Sequence, residues 1–206
     1  MSYLDHTLAD LLDDTAARTP TPGGGAIVAV TAALAAATAH MAAAFSADKK
    51  RFAMHRGQIA DAMDQLRRSR QLLSGLMEED MAAFSAWQSA RKSGKSVEKT
   101  AALAAAVAVP ESIAATCCTL LKTVGRLVPM TTEHLHSDLA IAAILAEACV
   151  RGAHYNVQIN MQDADESDRQ AMLHALQQRE RTAAESLQNL LAAIQSPQFS
   201  RQTEKE

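Results

Sequence analysis

Pro20-Thr21-Pro22-Gly23-Gly24-Gly25 stands immediately before a long apolar stretch. Consecutive glycines at a helix start leave backbone N–H groups that a polar ligand can approach without meeting side chains. The same run could instead form a tight corner at which two helices cross. No Gly-Lys-Ser/Thr follows it and no strand precedes it, so it is neither a P-loop nor a dinucleotide fingerprint. Asn156 and Asn160 are four residues apart in an otherwise apolar segment, which puts both amides on one helical face. A heterocycle with alternating donors and acceptors would satisfy them, and so would hydrogen bonding between helices. Asp80 falls between Leu76 and Phe84 on the apolar side of its helix. A carboxylate there is either paired with a base or functional.

Three further clusters carry chemistry. Glu133 and His136 form one E-x-x-H, half of the pattern used by di-iron bundles, and no second copy exists. A metal site is therefore not predicted, and His134 and His136, two apart on a helix, point their rings in different directions. Ser137 or Asp138 could simply cap that helix. Lys49-Lys50-Arg51 places positive charge at a helix start, against the dipole. A polyanionic ligand tail would explain it, and so would an ordinary solvated charge run. Cys117 and Cys118 have no base near them in sequence and read as small apolar packing groups.

The elements that must position these groups are helical. Of 206 residues, 48% are apolar, 3% aromatic and 43 are alanine. Alanine is the best helix former and a poor strand former. Apolar periodicity predicts helices over about Ser2 to Ala17, Gly25 to Ser46, Lys49 to Ala90, Val97 to Val128, Thr132 to Met161 and Asp168 to Ser196. Ser93-Gly94-Lys95-Ser96 ends the third, Pro110 should kink or interrupt the fourth, and the tail after Pro197 is polar. The expectation is all-α: a single domain over residues 1–206, an Ala-rich antiparallel bundle of about six helices, several of them long, and a homo-oligomer. A net charge of −3 gives no basic field for nucleic acid. The acidic N-terminal residues do not read as a signal peptide, and three cysteines suit a reducing cytosol, so a cytoplasmic location is expected. Ala26 to Ser46 has the length of a membrane span, but its alanines, Thr31, Thr38 and His40 favour a buried helix and no membrane partner.

Taken in order, the Pro-Thr-Pro-Gly-Gly-Gly run, Lys49-Lys50, Asp80 with Ala83-Phe84, Val109-Pro110, Ser137-Asp138 and Asn156-Val157-Gln158-Ile159-Asn160 resemble the cyclodeaminase/cyclohydrolase family. That family includes the cyclodeaminase domain of formimidoyltransferase-cyclodeaminase and the stand-alone methenyltetrahydrofolate cyclohydrolases. The likeness spans residues 4 to 165. It implies a homodimer with folate bound near the subunit interface, a tetrahydrofolate derivative as substrate, and no separate cofactor. Where the family usually has Gly-Asn-x-Asn before Ser-Asp, this chain reads Met130-Thr131-Thr132-Glu133-His134-Leu135. Whether His134 and His136 replace those asparagines stays open.

The implied activity is hydrolysis of 5,10-methenyltetrahydrofolate or cyclodeamination of 5-formimidoyltetrahydrofolate. Cyclohydrolase is preferred because no formimidoyltransferase is fused. The alternatives are a different iminium or amidine substrate on the same scaffold, or a non-catalytic dimer that binds a small molecule. The resemblance assigns Asp138 as first catalytic candidate and Asp80 as second. Pro22, Gly23, Gly24, Gly25 and Ser137 would hold the ligand, Asn156 and Asn160 the pterin edge, and Lys49 and Lys50 the glutamate tail. Asp138 and Asn156 share one helix face but lie 18 residues apart, or about 27 Å along the axis. One small ligand reaches both only if a second copy supplies one end.

Overall fold

Small residues on the inward positions of one helix set the architecture. Along α2 (Gly24–Ala47), Gly25, Ala29, Ala32, Ala36, Ala39, Ala43 and Ser46 alternate in steps of four and three, and all are buried. That period keeps one thin stripe inward and lets neighbouring axes approach closely. α2 lies against α3 (Arg56–Ser93) and α5 (His136–Asn160), α4 (Ser96–Leu127) packs on α3 and α5, and α6 (Glu166–Gln195) lies across α5 and α4. A Cβ on Gly152 would come within 2.7 Å of Val28 Cγ2, so α5 can touch α2 there only because that residue is glycine. Larger side chains fill the remaining space, with Ile59, Leu66 and Leu73 from α3, Ile113, Leu120 and Leu127 from α4, and Leu139 from α5 fully buried.

This computed structural model describes residues 3–93 and 95–196. The expectations for Ser2, Gly94 and the tail from Pro197 fall outside them. Among the described residues there are six α-helices and no strand, as composition predicts.

Several boundaries move. α1 (Leu8–Ala16) starts later than expected because Thr7 and Asp10 form a reciprocal capping box that satisfies the first N–H groups. The cationic run does not open α3: Lys50–His55 is a 3-10 turn that buries Phe52, and the α-helix begins at Arg56. An α-helical first turn made of Lys49, Lys50 and Arg51 would oppose the dipole. α5 likewise begins at His136 after a 3-10 turn at Glu133–Leu135. Neither Ser137 nor Asp138 caps it, since Leu135 takes the cap position. Pro110 sits inside α4 without interrupting it.

α2 and α5 run antiparallel: Asn156 lies beside Gly24 at one end, and at the other Thr132 N donates to Ser46 Oγ at 3.1 Å. By length and composition α2 and the run from Ser96 to Met130 could each cross a membrane; within the bundle 50% and 44% of their apolar windows are buried.

Candidate active site

The apolar face of α3 carries Leu73, Leu76, Met77, Ala83 and Trp87 inward, and Asp80 falls in step with them. Its carboxylate is delivered onto the N-terminus of α2, where it accepts a hydrogen bond from Ala26 N–H. A Cβ on Gly25 would lie 2.1 Å from Asp80 Oδ1, so the carboxylate occupies the space a side chain would take. Burial pushes the Asp80 pKa above its ordinary value, and the Ala26 N–H pulls only part of that shift back. A half-buried carboxyl held against bare backbone can accept and return a proton.

Asp80 forms one wall of a cavity of about 130 Å³. Gly23, Gly24 and Gly25 line it with bare backbone, Phe84 and Ile159 supply apolar surface, and Asn156 and Asn160 supply amides. Asn156 Nδ2 is buried there without a hydrogen-bond partner. Asn160 Nδ2 donates to the carbonyl of Ala106 on α4 at 2.6 Å. The Thr21–Pro22 peptide is cis; Pro22, expected to hold the ligand, is buried and does not line the cavity, while Pro20 and Thr21 do.

The remaining candidates lie at the opposite end. Lys49 and Lys50 follow α2, both exposed, and Asp138 is half-buried in the first turn of α5 beside exposed Ser137 and near exposed His134. His136 is engaged structurally: its ring is buried and its Nε2 lies 3.1 Å from the carbonyl of Val128. Thus Gly23, Gly24, Gly25, Asp80, Asn156 and Asn160 come together in one chain. Lys49 and Lys50 after α2, and His134, Ser137 and Asp138 at the start of α5, lie at the other end, with Asp138 about 27 Å from Asn156 along α5. Among the described residues no three His, Cys, Asp or Glu side chains gather as a metal site.

Ala106 lines the cavity without being a candidate from sequence, Ile159 figures in the sequence reading only inside the Asn156-to-Asn160 run, and Thr131 and Thr132, whose hydroxyls are buried without partners, only inside the 130–135 stretch. Ala106 carries one legible signal, a proline four residues on. Ile159 and the threonines carry none.

Comparison with known proteins places the chain in a family. The family model described as Formiminotransferase-cyclodeaminase matches residues 7–180. A methenyltetrahydrofolate cyclohydrolase of Methylorubrum extorquens is 28% identical over 171 residues, which is 79% of this chain and 82% of that protein. The formimidoyltransferase-cyclodeaminase of Rattus norvegicus is 32% identical over 79% of this chain, which spans only 32% of that longer protein. The crystal structure of a formiminotetrahydrofolate cyclodeaminase from Thermotoga maritima superposes with a TM-score of 0.88 at 30% identity, covering 94% of this chain and 98% of the other. By the extent of the family match, this chain belongs to the formiminotransferase-cyclodeaminase family.

Proposed function

We propose that this chain is a one-carbon folate enzyme. It would hydrolyse 5,10-methenyltetrahydrofolate, or form the same ring from 5-formimidoyltetrahydrofolate with loss of ammonia. The observation that carries the proposal is the Asp80 carboxyl held against the glycine N-terminus of α2, in one cavity with Asn156, whose Nδ2 is buried without a partner. In the methenyl compound the carbon between N5 and N10 is a cationic amidinium. A water adds to it, one of its protons passes to the Asp80 carboxylate, the carbon–N5 bond breaks as N5 takes that proton, and the remaining hydroxyl proton leaves to solvent as the formyl C=O forms on N10. In cyclodeamination N10 attacks the formimidoyl carbon and ammonia leaves from the resulting tetrahedral centre. A carboxylate beside that carbon stabilises the cation and moves the proton, an effect worth about 10²–10⁴ in rate.

A homodimer completes this site in the proposal. Ligand pockets usually enclose about 300–1,000 Å³, so a cavity of about 130 Å³ holds only part of a folate. The exposed residues of α5 are Ser137, Ile141, Ile144, Ala148, Arg151, Tyr155 and Ile159, a single line that is mostly apolar. Leu34, Met41 and Phe45 of the adjoining α2 are exposed as well. A two-fold axis at Ala148 would set this face against its own copy, because a C₂ interface is self-complementary. Ten residues to either side of Ala148 lie Asp138 and Gln158. Asp138 of a second copy would then reach the Asn156 end of the first, and Lys49 and Lys50 would come with it toward the glutamate tail. Asp80 thereby becomes the first proton-transfer candidate and Asp138 the residue supplied across the interface.

The test is the decay of methenyltetrahydrofolate absorbance, with ammonia release from the 5-formimidoyl compound as a second arm. Acceleration that Asp80→Asn abolishes supports the proposal. Saturable folate binding without turnover would indicate a binding protein, and neither signal would indicate another substrate; both results overturn it.

A further inference from the structure

Pro110 lies in the middle of α4, and a proline has no N–H to give the carbonyl four residues back. The carbonyl so deprived is that of Ala106, which lines the cavity. Its donor comes from another helix: Asn160 Nδ2 reaches it at 2.6 Å. A carbonyl oxygen only accepts, so this contact settles which way the Asn160 amide faces. The NH₂ group turns to α4 and Oδ1 turns away from it.

We infer that Pro110 is a positioning residue, acting through the Ala106 carbonyl to hold Asn160 with its Oδ1 presented as a fixed acceptor in the cavity. Asn156 completes the pattern from one helical turn before. Asn156 lines the same cavity, and its Nδ2 is a buried donor without a partner. A donor and an acceptor side by side are complementary to a ring edge that carries N–H next to C=O. An amide held in one orientation binds such an edge without ordering cost on association. The inference rests on the folate chemistry proposed above for its activity readout, and on the Ala106 contact alone for its stability readout.

Replacing Pro110 with alanine restores an N–H at position 110, which closes the helical bond to Ala106 and takes away the claim on Asn160. Alanine suits a helix interior, so Pro110→Ala folds. In the methenyltetrahydrofolate assay, Pro110→Ala should raise KM about tenfold, the worth of roughly one hydrogen bond that is no longer pre-set. The kcat value should stay within about twofold. Asn160→Ala should raise KM similarly, and the double variant should be no worse than either single one, because both remove the same thing. Asn160→Asp sets an oxygen against the Ala106 carbonyl when residue 110 is proline, and Pro110→Ala should partly rescue it.

Thermal unfolding gives the independent arm. Asn160→Ala should lower Tm by about 2–4 °C with Pro110 present and by clearly less in the Pro110→Ala background. Additive KM effects, or a Pro110→Ala enzyme with unchanged KM beside a weakened Asn160→Ala enzyme, would overturn the inference. If the wild-type protein has no folate activity, the folate proposal fails while the Tm coupling still decides whether Pro110 and Asn160 act together. Uncoupled Tm values sink the inference even when folate activity is present.

Discussion

Substituting Gly25 with alanine tests the central contact with a single methyl group. The new Cβ would sit 2.1 Å from Asp80 Oδ1, 2.4 Å from Cγ and 2.5 Å from Oδ2. Relief of these overlaps requires the carboxyl to retreat by about 1 Å, since non-bonded carbon atoms settle near 3.5–4.0 Å. The retreat breaks the bond from Ala26 N–H, and hydrogen bonds to a charged group contribute about 1.5–3 kcal/mol. Alanine returns at most about 1 kcal/mol through helix propensity. The net loss is therefore about 0.5–2 kcal/mol, which for a chain of this size lowers Tm by about 1–8 °C. Activity should suffer more, because a displacement of about 1 Å at a reacting group costs about 10²-fold. Methenyltetrahydrofolate decay would give kcat, and a thermal melt followed by circular dichroism would give Tm. The double variant Gly25→Ala with Asp80→Ala separates clash from chemistry: stability should recover to at least that of Asp80→Ala, and activity should not recover at all. A Gly25→Ala enzyme with wild-type kcat and unchanged Tm would refute the whole contact.

Two further outcomes follow from the same geometry. Because burial raises the Asp80 pKa in the folded chain, the native state holds its proton longer than the unfolded state does. Stability relative to Asp80→Asn should therefore fall as pH rises through the window that opens at the ordinary aspartate value of about 3.9; a pH-independent difference in urea midpoint would contradict this. The proposed two-copy site predicts that Asp80→Asn and Asp138→Asn proteins, each inactive alone, regain up to about a quarter of wild-type activity after mixed refolding. Half of the resulting dimers are then mixed, and each of those holds one intact site. A site built within one chain would regain nothing.

Most of the fold was legible because its signal is periodic. Alanine spacing marks α2 to within a residue at each end, Gly24–Ala47 against an expected Gly25 to Ser46, since burial on a helix repeats every three or four residues. The starts of α3 and α5 were not legible. At Lys50–His55 and at Glu133–Leu135 the chain takes a 3-10 turn, and no periodicity marks where the first N–H groups lose their partners. Within the site, the apolar register of Asp80 was visible in its spacing from Leu76 and Phe84. Its partner was not: Ala26 is 54 residues earlier in the chain, and nothing local in the sequence encodes which helix end a carboxylate meets. His136 shows the converse. Its neighbours suggested a ligand contact, while the ring is spent on the Val128 carbonyl, a backbone acceptor that leaves no trace in residue types.

The alanine content and the division of the candidate residues between two ends have one cause. Helices lined with Gly25, Ala29, Ala32, Ala36, Ala39 and Ala43 pack too closely to leave an interior space for a flat ring system. A ligand must then be held where helices end, because there the backbone groups are unspent and the side chains diverge. α5 has two such ends, and its 25 residues keep them about 37 Å apart. Pairing the helix with its own copy about Ala148 is the simplest arrangement that superposes them, and it does so twice, generating two equivalent sites. The residue at the axis must also be small for the two helices to meet, with bulkier Ile144 and Arg151 a turn to either side. Placing a large residue at 148 should therefore separate the copies and abolish activity together, without touching any group that handles the ligand.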